Sequence, residues 1–140
     1  MADYPQMRTR YLIALAVITP LGFASKAYAG PVDWWVQDYL GGVLYEMLWV
    51  LIAIAIRPRW SPWRVAAGVL AVTSALEFLQ LWHPPALEAI RETFIGSTLL
   101  GTTFVWWDFP HYVIGCLLGA LLASWLGRAD ISGSLGWRAE

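Results

Sequence analysis

Apolar residues run almost unbroken over four stretches of this chain, at about 11–25, 39–56, 64–82 and 111–127. Each stretch is close to the ~17–25 residues with which a helix crosses a ~30 Å hydrocarbon layer. A fifth apolar run, Phe94 to Trp107, is too short for that, because ~14 residues rise only ~21 Å. The charged Glu88, Arg91 and Glu92 come just before it. Backbone groups left unsatisfied cannot face lipid, so the segment at about 86–107 is expected to pack against protein. The pattern thus predicts an all-α integral membrane protein, with four transmembrane helices plus a short re-entrant or partly buried helix on the outer side. Residues 1–140 form a single membrane domain in this reading.

Composition agrees. The chain is 59% hydrophobic and 14% charged, and its mean hydropathy of +0.55 is more than a water-facing surface tolerates. A net charge of -1 offers no basic patch for nucleic acid. The lone Cys116 lies in an apolar run, where no internal disulfide is available to it.

Basic residues set an expected direction. Arg8 and Arg10 precede the first run, Arg57, Arg59 and Arg64 lie between the second and third, and Arg128 follows the last, whereas the 26–38 connection sets Lys26 against Asp33 and Asp38. The positive-inside rule then places both termini in the cytoplasm, in a multi-pass protein of the cell inner membrane. Trp34, Trp35, Trp82, Trp106 and Trp107 fall at the outer interface, and Trp60, Trp63 and Trp125 at the inner one, as aromatic belts do. Residues 11–25, preceded by Arg8 and Arg10 and followed by Ala27, Tyr28 and Ala29 before Gly30, also have the layout of a signal peptide. Removing them would leave three full spans and move the new N-terminus outside, so a retained first helix is the expectation.

Two runs carry small residues at four-residue spacing: Ala67, Ala71 and Ala75 in the third, and Gly115, Gly119, Ala123 and Gly127 in the fourth. Such stripes let helices approach closely in lipid, most simply here against each other. A membrane-protein partner or a second copy docking through Gly115, Gly119 and Ala123 is the competing use.

Polar groups inside spans are costly and usually face a protein interior or a cavity. Glu46 falls ~10 Å and Glu77 ~7 Å below the outer ends of their runs. Thr73, Glu77 and Gln80 share one helix face at spacings of four and three. Pro84 and Pro85 then break the helix, and Arg91 and Glu92 follow. Asp108 and His111 flank Pro110 at the start of the last run. By this topology Glu46, Glu77, Gln80, Arg91, Glu92, Asp108 and His111 all fall in or just above the outer leaflet and form the candidate ligand-binding set. No catalytic residue, cofactor or metal site is assigned, since the two histidines lack a known ligand spacing and no phosphate loop or nucleophile elbow is present.

The stretch EFLQLWHPPALEAIRETFIGSTLLGTTFVWWDFPHYVIG, Glu77 to Gly115, resembles the DUF2809 family of small bacterial membrane proteins, also labelled ribosomal maturation YjgA-like. The likeness rests on Glu77, Phe78, Gln80 and Leu81, on Pro85, Leu87, Arg91, Thr93 and Gly96, and on Leu100, Gly101, Phe104, Trp106, Asp108, Tyr112 and Gly115. A fainter similarity to VanZ-like proteins lies in Glu77, Gln80 and Arg91 followed by a Gly-rich helix; it implies a small envelope protein linked to cell-surface antibiotic tolerance.

Three functions fit this reading. In the first, a polar pocket open to the outer leaflet binds a membrane lipid or other amphiphile, whose anionic or hydroxylated head meets Arg91 while Glu77 and Gln80 orient it. In the second, the chain is an accessory subunit of a larger membrane complex and the polar cluster is structural. In the third, it is an envelope-lipid enzyme with Glu77 or Asp108 as general base and His111 as proton carrier.

Overall fold

The computed structural model describes the backbone of residues 4–135 and the side chains of residues 4–128, and contains no strand among them. Helix α1 is Tyr4–Lys26, α2 is Asp33–Ile56 with a π-helical turn at Val36–Leu40, and α3 is Pro62–Leu79. Two short helices follow, α4 at Pro85–Arg91 and α5 at Phe94–Leu100, and α6 is Asp108–Leu135. Three helices are long and apolar enough to cross a membrane: α2 with 24 residues, α3 with 18, and the Asp108–Arg128 part of α6 with 21. The 23-residue α1 is not among them. Arg8, Arg10 and Lys26 at its ends, and Thr19 and Pro20 within it, dilute its apolar run.

Local sequence sets these boundaries. Proline at the first helical position starts both α3 and α4, where its missing N–H costs nothing and its φ is already helical. The same Pro84–Pro85 pair prevents α3 from continuing into α4. Thr93 caps α5 by accepting from the Gly96 N–H at 2.9 Å. The run Phe94 to Trp107 is therefore not one helix. Only Phe94–Leu100 is helical, and residues 101–107 are irregular backbone. Neither α4 nor α5, at seven residues each, is long enough to span.

The core centres on α2. Val50, Leu51 and Ile54 are fully buried there, against Tyr11 and Ile18 of α1 and against Ala120 and Ala123 of α6. Helices α2 and α6 approach so closely that a Cβ on Gly115 would lie 2.6 Å from the Val43 carbonyl oxygen and 2.7 Å from the Glu46 Cβ. A Cβ on Gly119 would lie 3.0 Å from that of Val50. This corrects the expected use of the small-residue stripes. Gly115, Gly119 and Ala123 are buried, the two glycines against α2, and do not meet the other stripe, whose Ala67, Ala71 and Ala75 on α3 are exposed.

Helix α1 is tied in at one end of the bundle. Arg8 Nε donates to the Ala55 carbonyl at 2.9 Å, Arg10 Nη1 to Leu126 at 3.3 Å and Tyr11 Oη to Ala123 at 3.3 Å. These bonds bring Arg8 and Arg10 to the end that also carries the Arg57–Arg64 loop and Arg128. The outward side of α1 shows Leu12, Ile13, Val17 and Leu21, and that of α6 shows Val113, Leu117 and Leu121.

Thermal unfolding in detergent should rank three substitutions by the space each Cβ meets. Gly115→Ala, overpacked against backbone, should cost about 1–3 kcal/mol, Gly119→Ala less, and Gly68→Ala, with nothing within 4 Å, should be near neutral. Equal effects at all three would show that α2 and α6 are not in this close contact.

Candidate functional site

Glu77 lies near the end of α3 and is only 1% exposed. Its Oε1 accepts the Val105 N–H at 2.8 Å, and its Oε2 accepts the Tyr112 hydroxyl at 2.8 Å and the Gln80 amide at 3.2 Å. These donors come from the irregular 101–107 segment, from α6 and from the residue that ends α3, so one carboxylate joins three parts of the chain. Such charge-assisted bonds are stronger than neutral ones, and their number makes this carboxylate a satisfied buried group.

Gln80 extends the knot to α5. Its Nε2 also donates to the Leu100 carbonyl at 3.0 Å, so both amide hydrogens are used on acceptors and the amide orientation follows. The chain then turns at Gly101, whose φ of +68° and ψ of 172° belong to glycine alone. A Cβ there would also sit 2.2 Å from Gln80 Nε2.

Arg91 is buried too, at 4% exposure, but it faces other groups. Its Nη1 donates to the Trp82 carbonyl at 2.9 Å and to Glu88, and its Nη2 to the Leu79 carbonyl at 2.9 Å. It thus caps the C-terminal end of α3 with a cation, where orphan carbonyls and the helix dipole favour one. Arg91 and His83 hold the exposed Glu88 carboxyl below its ordinary range. Arg91 does not line the cavity described below, and neither does the exposed Glu92. The candidate set therefore does not converge as a whole.

Glu46, on α2, has 0% exposure and far poorer company. Its Oε2 has the Cys116 thiol at 3.2 Å and the Thr73 hydroxyl at 3.3 Å, yet the single Thr73 proton is also within reach of the Val69 carbonyl at 3.0 Å. Among the described residues its Oε1 has no partner, and neither does Gln80 Oε1.

Glu46, Glu77, Gln80, Asp108 and His111 all line one cavity of about 610 Å³ between α1, α2, α3, α5 and the start of α6. That volume is in the range of small-molecule sites. His111 stacks on Tyr39 at 4.4 Å, and its Nδ1 lies 2.7 Å from the Trp107 carbonyl. A carbonyl only accepts, so Nδ1 carries a proton. His111 makes no bond to Asp108. Exposed Phe23, Lys26 and Phe94 at the rim bring the cavity to the surface. Among the described residues no group of three metal-ligating side chains forms.

Lys26, Asp38, Tyr45 and Tyr112 were not among the expected residues, although they also line the cavity. Tyr112 had a readable signal: it lies four residues before Cys116 and three before Gly115, on the α6 face that meets α2 and α3.

The two carboxylates should respond oppositely to substitution. Glu77→Ala orphans three donors and should lower stability by about 3 kcal/mol or more. Glu46→Leu removes an under-bonded buried acid in favour of an apolar side chain of similar size and should be neutral or stabilising. Thermal unfolding of both in one detergent checks the pair; destabilisation of similar size in each would contradict it.

No solved structure matches the chain. The family described as "Protein of unknown function (DUF2809)" matches residues 32–116, from the residue before α2 to Cys116. It takes in Glu46, the Glu77 knot and Arg91, and leaves out α1; it carries neither the ribosomal-maturation label nor a likeness to VanZ-like proteins. The match spans more than half of the chain, and on it the chain belongs to the DUF2809 family.

Proposed function

We propose that the protein binds an amphiphile with a hydroxylated head in the cavity between α1, α2, α3 and α5, with the head inside and the apolar part toward the surrounding lipid. The observation that carries this reading is the pair of buried acceptors in the cavity lining, Glu46 Oε1 and Gln80 Oε1, that no donor among the described residues reaches. Unpaired buried acceptors are costly, and a head group that presents hydrogen-bond donors satisfies them. The apolar lining from Phe23, Leu44, Leu48 and Leu99 suits the rest of such a molecule. An anionic head held by Arg91 has no support, because Arg91 does not line the cavity and its Nη1 and Nη2 are engaged on the Trp82 and Leu79 carbonyls.

The membrane topology belongs to the same proposal. With α1 as a fourth span and α4 and α5 as a partly buried insertion, Arg8, Arg10, Arg57, Arg59, Arg64 and Arg128 gather at one end, and Asp33, Asp38, Glu88 and Asp108 at the other. The positive-inside rule supports an inner-membrane protein with that basic end in the cytoplasm and the cavity on the outer side. The chain ends themselves, residues 1–3 and 136–140, lie outside the described residues.

A second reading, an accessory subunit of a larger membrane complex, is favoured by one observation: the exposed small-residue face of Ala67, Ala71 and Ala75 on α3. The enzyme reading has Asp108 and His111 on the cavity wall but no bonded acid–base pair between them.

Native mass spectrometry of protein extracted from its own membrane in mild detergent tests the binding reading. The wild type should carry a hydroxylated amphiphile that is lost in Glu46→Leu and in Thr98→Trp, the latter filling the cavity from its exposed wall. No adduct on the wild type, or the same adduct on all three proteins, contradicts it; retained partner subunits without adduct favour the second reading.

A further inference from the structure

A second cavity of about 820 Å³ lies between α2 and α3, toward the opposite, basic end of the bundle. Helix α2 packs tightly on α1 and α6 but shares far fewer contacts with α3, which leaves a groove along the pair. Its floor and walls are apolar, from Ala53, Val65, Val69 and Val72, and Leu99 and Leu100 of α5 close its far end. Gly68 lines it as well, and a Cβ there would meet nothing within 4 Å. At the near end stand Arg59, Trp60, Ser61 and Arg64.

We propose that this groove holds one acyl chain of an anionic phospholipid, with the lipid phosphate between Arg59 and Arg64. Charge complementarity identifies the head. Both arginines are exposed, and no carboxylate among the described residues pairs with either. Arg59 is also preset: its Nε donates to the Tyr4 hydroxyl at 3.2 Å and its guanidinium lies 5.0 Å from the Tyr4 ring centre, which leaves its two terminal nitrogens to face a phosphate. Arginine forks match phosphate oxygens geometrically.

Depth identifies the tail. From Arg64 to Leu76 the groove follows twelve residues of α3, ~18 Å of rise, close to half of a ~30 Å hydrocarbon layer. That is the reach of one leaflet's acyl chain from a head at the interface, where the exposed Trp60 also belongs. A free phosphate would engage the two arginines and leave the apolar groove without a role. This site differs from the amphiphile cavity in head-group chemistry and in end of the bundle, although the two share Tyr45, Trp49, Thr73, Leu76, Leu99 and Leu100 where they meet.

The test is native mass spectrometry of the delipidated full chain titrated with phosphatidylglycerol, with phosphatidylcholine and with inorganic phosphate. The wild type should take up phosphatidylglycerol at least about tenfold better than phosphatidylcholine and show no uptake of inorganic phosphate. Arg59→Gln with Arg64→Gln should bring the two lipids level, while Arg128→Gln, which removes a cation at the same end outside the groove, should keep the preference. Gly68→Phe should remove both lipids, and circular dichroism should report an unchanged helix content. A preference that survives the double arginine variant, or wild-type uptake by Gly68→Phe, would overturn the proposal, as would phosphate binding without lipid selectivity. Glu46→Leu should leave this uptake unchanged, which keeps the outcome independent of the amphiphile cavity.

Discussion

The carboxylate of Glu77 is the constraint on which the end of the bundle that carries α4 and α5 depends. Between α5 and α6 the chain passes through seven residues, 101–107, with no helix to satisfy its backbone. In or near a membrane such a segment is tolerated only where protein supplies the missing bonds. Glu77 supplies one to Val105 and, through Gln80, fixes the Leu100 carbonyl. Because Tyr112 donates to the same carboxylate, the position of α6 is set by the bond that organises the loop. Arg91 acts in parallel by closing the last carbonyls of α3 and carrying α4 against it.

Glu46 shows what the same residue type does without such partners. Both glutamates are buried in the helix bundle, and burial of a carboxylate carries the same large desolvation cost in each case. Glu77 offsets it with three donors, whereas Glu46 has a thiol, a shared hydroxyl and an empty Oε1. The contrast is one of partners: Glu77 is saturated by the chain, whereas Glu46 on the cavity wall is not. Gly115 strengthens the case, since the absence of its side chain lets α6 come within contact of the Glu46 Cβ and so seals the acid from that direction.

Hydropathy revealed much of the fold. Runs of apolar residues near bilayer length located α2, α3 and α6, although α2 begins six residues before its run and α6 ends eight after it, and Pro84 and Pro85 announced the break after α3. The face Thr73, Glu77, Gln80 was readable from helical spacing, and all three are buried. Partner choice was not readable. Depth along a span cannot say toward which neighbour a side chain points, so Arg91 was grouped with Glu46 although it faces the α3 carbonyls. Likewise, four-residue spacing marked two close-packing stripes, but not that one meets α2 while the other stays exposed. The donors that matter most to Glu77, a backbone N–H and a tyrosine 35 residues away, leave no periodic trace at all.

The claim that Glu77 organises the loop and α6 together is tested most directly by hydrogen–deuterium exchange of the 101–107 segment in detergent or nanodiscs. In the wild type the Val105 amide should exchange slowly although its neighbours lie in irregular backbone. In Glu77→Ala that protection should vanish and the start of α6 should exchange faster, while the middle of α2 stays protected. Fast exchange at Val105 in the wild type, or protection unchanged in the variant, would contradict the account.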